Sequence, residues 1–188
     1  RDQLDRFGEI DTTAQYLGRL VQATKQVVVL NADDPRVAKL ATKSTAHKVY
    51  FGASENLRGK LKSDDDWHGH VKKQSTKADL ELTVSEGFNI GISGLKNITT
   101  QFEGIHNHLN FVAALCLLTS LKPDFTQTEL IDVMSTTVPA FGRGERVKIG
   151  DSTFDILLVK NPSSFTQTIR ATRLNTYKTV TISVNDAY

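Results

Sequence analysis

Asn107 and Asn110 stand three residues apart at the head of an apolar run, Gly104-Ile105-His106-Asn107-His108-Leu109-Asn110-Phe111-Val112-Ala113-Ala114-Leu115. On a helix, that spacing puts the two side chains at neighbouring positions of one face. A carboxamide holds a donor and an acceptor side by side, which matches the N6/N7 edge of an adenine. The same residues admit a plainer reading, in which one Asn is the N-cap of a buried helix.

Other polar residues divide in the same way. Arg143, in Ala140-Phe141-Gly142-Arg143-Gly144-Glu145, carries a permanent planar charge suited to phosphate oxygens, or is a solvated Arg in a glycine-rich linker. Arg146 is read as the solvated case. Asp33 and Asp34, in Asn31-Ala32-Asp33-Asp34-Pro35, resemble a metal pair but fit better as a turn that caps the helix from Arg36 onward. His68 and His70 lie in the acidic stretch Asp64-Asp65-Asp66-Trp67-His68-Gly69-His70 and are read as solvated. Cys116, the single cysteine, sits inside the apolar run and reads as a core thiol. No Gly is followed by Lys-Ser or Lys-Thr, so the usual phosphate-cradling loop is missing from these residues.

The elements that must position these groups suggest an α/β protein. Thr12 to Lys25 reads as a surface helix with Ala14, Leu17 and Val21 inward. Val27-Val28-Val29-Leu30 reads as a strand buried on both faces, and Lys48 to Phe51 as a second, parallel strand ending at Gly52. Pro35 can start the helix Arg36 to Thr42 between them. Ser54 to Lys77 reads as a polar loop. Leu80 to Val84 and Phe88 to Ile92 alternate, as antiparallel strands with one wet face do. A helix follows from about His106 to Leu121. Thr126-Gln127-Thr128-Glu129 is a capping-box pattern opening another, to about Met134. Glu145 to Ile149 and Thr153 to Val159 form a hairpin turning at Gly150-Asp151. Pro162 to Thr172 is a helix, and Val180 to Val184 a strand.

The 188 residues allow one domain, or one and part of another, and the net charge of +2 makes no case for nucleic acid or an anionic membrane. No apolar run reaches the ~18 residues of a spanning helix. One cysteine cannot form an internal disulfide, which fits a reducing, cytoplasmic setting.

The segment G-x-H-N-x-x-N-x-x-A-A resembles the adenine-binding segment of the Mur ligase superfamily, the ATP-dependent enzymes that build the peptidoglycan stem peptide. Arg1-Asp2-Gln3-Leu4-Asp5-Arg6-Phe7 resembles that family's D-H-x-D-R-Y segment, and the turn at Asn31 its N-x-D-D. Ala140 to Glu145 resembles its G-R-x-E, and Leu158-Val159-Lys160-Asn161-Pro162 stands where many members have D-Y-A-H-N-P. In detail these segments are most similar to the MurT branch, the ligase subunits of lipid II isoglutaminyl synthases.

The resemblance implies a Mur-ligase central domain, a mostly parallel sheet with helices plus a small antiparallel sheet, over residues 1–138. The start of a Rossmann-like C-terminal domain would follow over 139–188. It implies ATP and Mg2+ as cofactors, with His106, Asn107 and Asn110 on the adenine and Arg143 on ribose or phosphates. The family's phosphate loop lies upstream of D-H-x-D, hence before Arg1. Both ends of the chain look cut, and these residues alone are not expected to turn over ATP. Gln3 replaces the family's metal-binding His, and Leu157 its ribose-binding Asp, so no metal ligand is assigned. Catalytic residues are left unassigned. The MurT branch uses a GatD-type glutaminase as partner and lipid II, or a related peptidoglycan precursor, as substrate. The implied reaction is amidation of a D-glutamate carboxylate to D-isoglutamine on the cytoplasmic side. Another Mur-type amino-acid ligase and a non-catalytic nucleotide-binding domain remain open alternatives.

Overall fold

The apolar run at Val27 opens a five-stranded sheet. Its strands are β1 (Val27–Asn31), β2 (His47–Ala53), β3 (Leu80–Glu86), β4 (Asn89–Ile92) and β5 (Ile98–Thr99), in that spatial order. Pairs β1/β2 and β2/β3 are parallel, whereas β4 runs antiparallel to both β3 and β5. All strands but β4 therefore point one way, the mostly parallel α/β arrangement expected from the sequence. The computed structural model describes residues 8–61, 76–139, 143–160, 162–172 and 176–184. The segments Arg1 to Phe7 and Asp64 to His70 lie outside them.

The helices are α1 (Ile10–Ala23), α2 (Pro35–Lys39), α3 (Glu55–Arg58), α4 (Ile105–Leu121), α5 (Gln127–Thr136) and α6 (Pro162–Ala171), with a 3-10 turn at Leu40–Lys43. Pro35 occupies the first turn of α2, where its missing N–H costs nothing. The Asp34 carboxylate caps that helix, accepting from the amides of Arg36 and Val37 at 2.9 and 3.1 Å. Thr126 and Glu129 form the capping box of α5. After residue 142, β6 (Arg143–Ile149) and β7 (Ser152–Leu157) make an antiparallel hairpin, and α6 follows.

The core centres on α4. Leu109, Val112 and Leu115 pack with Ala53, Leu57, Leu82, Ile90 and Ile92 of the sheet side and with Leu130 and Met134 of α5. A second cluster joins Val28 and Leu30 of β1 to Ala41, Ala46 and Val21. Burial at this scale, roughly 25 cal/mol per Å2 of apolar surface, is what holds α4 on the strands.

Several expectations need correction. On α1 Val21 packs against the second cluster as expected, but the fully buried position is Gly18, against the Lys43 stem, and Leu17 is 45% exposed. The stretch after Ser54 is not all loop. Buried Leu57 anchors the single turn α3 to the core, an apolar signal hidden among charges. Strand β4 has no wet face over Ile90 to Ile92. The two isoleucines join the core, and Gly91 packs on the other side so closely that a Cβ would lie 2.9 Å from Thr83 Oγ1 and Asn97 Oδ1. The two-residue strand β5 is too short to show a period. Helix α4 buries one stripe only, leaving Leu117 and Leu121 exposed. Val180 to Val184 forms no strand; Val180, Ile182 and Val184 are half to mostly exposed, and no described strand pairs with them.

Leu82 is fully buried at the centre of the main cluster. Leu82→Ala should cost about 2–5 kcal/mol, read as a lowered midpoint in chemical denaturation with little change in slope.

Candidate functional site

The first turn of α4 is built around a buried histidine. His108 is completely shielded from solvent. Its Nε2 donates to the Phe102 carbonyl at 3.1 Å, which leaves Nδ1 to accept from the Ser85 hydroxyl at 2.7 Å. Burial pulls the pKa below the ordinary histidine range, against the opposing pull of the Phe102 carbonyl, and so favours this neutral form of the ring. The ring thereby ties α4 to β3 and to the segment 100–104. Thr100 secures the same segment: its hydroxyl donates toward the carbonyls of Phe88 and Phe102 and accepts from the Phe102 amide. Phe102 then meets Phe111 edge-on, with centroids 4.9 Å apart.

Gly104 precedes the helix at φ 95°, a backbone conformation that side-chain-bearing residues adopt only with strain. Its carbonyl accepts from the His108 amide, so the helix starts at Ile105 with neither Asn as N-cap. Asn107 instead donates from Nδ2 to the Glu103 carbonyl at 2.7 Å, fixing the plane of its amide.

His106 and Asn107 line a cleft of about 550 Å3 between this turn and the hairpin β6–β7. That volume suits a small organic ligand. Phe88, Arg146, Asp155 and Tyr177 also line it. Asn110 is exposed and is not among the lining residues. Arg143 opens β6, where its backbone pairs with Leu157. The structure thus brings together two of the four sequence-proposed contacts, His106 and Asn107, with Arg143 at the edge of the hairpin that forms the facing side.

Arg146 is exposed, as read from sequence, and is a structural partner as well. Its side chain is 62% exposed, yet it grips Asp155 with Nε and Nη2 at 2.7 and 2.8 Å, a bidentate pair. The Tyr177 hydroxyl donates to the same carboxylate. The Arg146 bond holds the Asp155 carboxyl below the usual range, against its partial burial, and the carboxylate in turn raises the Tyr177 phenol. A signal for the pair existed: a hairpin turning at Gly150-Asp151 puts residues 146 and 155 opposite each other. Tyr177 gave none, and neither did the link from His108 to Ser85.

The acidic turn after β1 is also structural. Asp33 accepts from the Ala53 amide at 2.6 Å and pairs with Arg58 at 2.8 Å, while Arg58 reaches toward Glu81. A Cβ on Gly52 would lie 3.1 Å from the Asp33 carboxylate, so the glycine leaves room for this tie. Among the described residues, no group of three or more His, Cys, Asp or Glu gathers into a possible metal site. Cys116 is buried, and burial first, then Asp79, pushes its thiol up to about 11, so it stays protonated at neutral pH.

Residues 1–118 match the Mur ligase middle domain. The chain belongs to the Mur ligase family. Among curated relatives, MurT, a subunit of the glutamine-hydrolysing lipid II isoglutaminyl synthase of Streptococcus pneumoniae (strain ATCC BAA-255 / R6), is 29% identical over 94% of this chain and 46% of its own length. The chain therefore spans about half of that Mur ligase relative. A pseudomurein peptide ligase type C from Methanothermus fervidus superposes over 92% of this chain and 39% of its own, with TM-score 0.71 and 19% identity. MurF from Acinetobacter baumannii does so over 89% and 34%, with TM-score 0.66 and 16% identity. These two show that the Mur ligase fold is shared.

The His108 bonds predict a pH dependence. In the unfolded chain the ring takes up a proton near its ordinary pKa of about 6.5, whereas in the folded chain it stays neutral until lower pH. Its contribution is therefore constant above that value and is lost as pH falls from it toward the folded pKa. Thermal melts should show stability declining below about pH 6.5, and His108→Gln should be less stable at neutral pH but flatter across that window.

Proposed function

We propose that the parent protein of this chain is a MurT-type ligase subunit. It would use ATP to amidate the D-glutamate carboxylate of lipid II, giving D-isoglutamine. The observation that carries this reading is the likeness to pneumococcal MurT over 94% of the chain. A carboxylate is a poor electrophile. Its oxygen attacks the terminal phosphorus of ATP, releasing ADP and leaving an acyl phosphate. Ammonia from a GatD-type glutaminase then attacks the acyl carbon, and phosphate departs with the C–O bond electrons.

This chain's share is to hold the nucleotide. In our reading the cleft beside the first turn of α4 receives the adenosine. Asn107 is already oriented by the Glu103 carbonyl, and its amide presents fixed polarity to the base. His106 shares that wall, and Asn110 stands one turn further along α4 as an outer contact. Arg143 is assigned to ribose or phosphate oxygens at the start of the hairpin. Mg2+ would travel with the ATP phosphates. The break between α5 and β6 marks the proposed boundary between the central domain, 1–138, and the C-terminal domain, 139–188. The reaction is placed on the cytoplasmic side. No helix among the described residues is long and apolar enough to cross the membrane, so the lipid-linked substrate would be met at its surface.

Asn107→Ala in the full-length protein should weaken ATP binding by about 1–3 kcal/mol, and exposed Asn110→Ala by less, both read by calorimetric titration. The function is tested by mass spectrometry of lipid II incubated with ATP, glutamine, the full-length protein and its glutaminase. A loss of about one mass unit, the signature of carboxyl turned to amide, is expected. Addition of an amino acid instead would make it an ordinary Mur-type ligase.

A further inference from the structure

The cleft holds a second constructed feature besides the α4 turn. Arg146 and Asp155 face each other across β6 and β7 and are joined by two parallel hydrogen bonds. Tyr177, from the segment after α6, adds a third bond to the same carboxylate. Asp155 is largely enclosed, with 11% of its side chain exposed, while Arg146 keeps 62% exposed. The arrangement hides the carboxylate and displays the guanidinium. All three residues line the cleft that contains His106 and Asn107.

We propose that Arg146 is a nucleoside-binding residue, a flat platform for the purine ring that Asp155 and Tyr177 hold in place. The proposal rests on the cleft being the nucleotide site. A guanidinium has five N–H donors and two faces. Asp155 uses two of the donors, so three and the exposed surface are left for a ligand. The pair is neutral overall, and a compensated charge attracts phosphate weakly. What remains effective is the plane, since guanidinium groups stack on aromatic rings and lose little freedom when already fixed. Phe88, 39% exposed, presents an aromatic ring to the same cleft. A flat, uncharged heterocycle fits such surroundings better than a chain of phosphates. Asp155 and Tyr177 are positioning residues in this account.

The test is titration of the full-length protein with adenosine and, separately, with ATP. Arg146→Ala should weaken both by the same factor, roughly tenfold. Arg146→Lys keeps the charge but not the plane and should lose as much. Asp155→Asn should lose part of the affinity for both ligands, with unliganded melts confirming that each variant folds. A loss for ATP alone, or full rescue by Lys, would make Arg146 a phosphate contact and overturn the proposal. Unchanged binding of both ligands by Arg146→Ala would also overturn it. In that case Asn107→Ala separates the two ideas. If it weakens binding, only the platform falls; if it too changes nothing, the cleft is not the nucleotide site.

Discussion

The neutral imidazole of His108 is the constraint on which the site depends. It is wholly buried, so both ring nitrogens need partners, and Ser85 and the Phe102 carbonyl supply them. Those partners belong to β3 and to the segment that crosses toward α4. One ring therefore fixes the depth and rotation of the helix and the path of the chain ahead of it. Leaving either nitrogen unpaired in that interior would cost about 1–3 kcal/mol, so the first turn has little freedom to drift. His106 and Asn107 inherit their positions from this restraint.

The remaining polar ties work by a similar logic at lower burial. Asp33 and Arg58 join the ends of β1 and β2 to α3, and the open space at Gly52 lets the carboxylate reach the Ala53 amide. Asp34, its neighbour, does local work as a helix cap. Two adjacent acids thus take different roles, one tertiary and one local. On the hairpin, Arg146 and Asp155 are cross-strand neighbours whose bond geometry counts for more than their charge, since water screens the exposed Arg146 side of the pair.

The Mur-type fold and the MurT-like reading are supported by different observations. Shared architecture with ligases at under a fifth identity speaks to the sheet and helices alone. The likeness to MurT covers 94% of the chain, and it carries the proposed chemistry. The cleft lies between the α4 turn and the hairpin, the two places where the sequence was read as Mur-like nucleotide contacts.

Local grammar was readable from the sequence. The Val27 run made a strand because β-branched side chains suit a sheet, though only Val28 and Leu30 are buried and Val27 and Val29 on the other face are half-buried. Pro35 started a helix because its ring suits the first turn, and Thr126 with Glu129 capped another through their own side chains. Even the Arg146–Asp155 pair was latent in the hairpin turn at Gly150. Contacts between distant segments were not readable. Leu17 looked inward by period but is 45% exposed; Leu57 looked like loop, but the core reaches it. The alternation from Val180 promised a strand, yet a strand exists only where another lies beside it to share hydrogen bonds. Asn107 and Asn110 are equivalent by composition and spacing. Only the packing of α4, set by His108, turned one of them into the cleft and left the other in solvent.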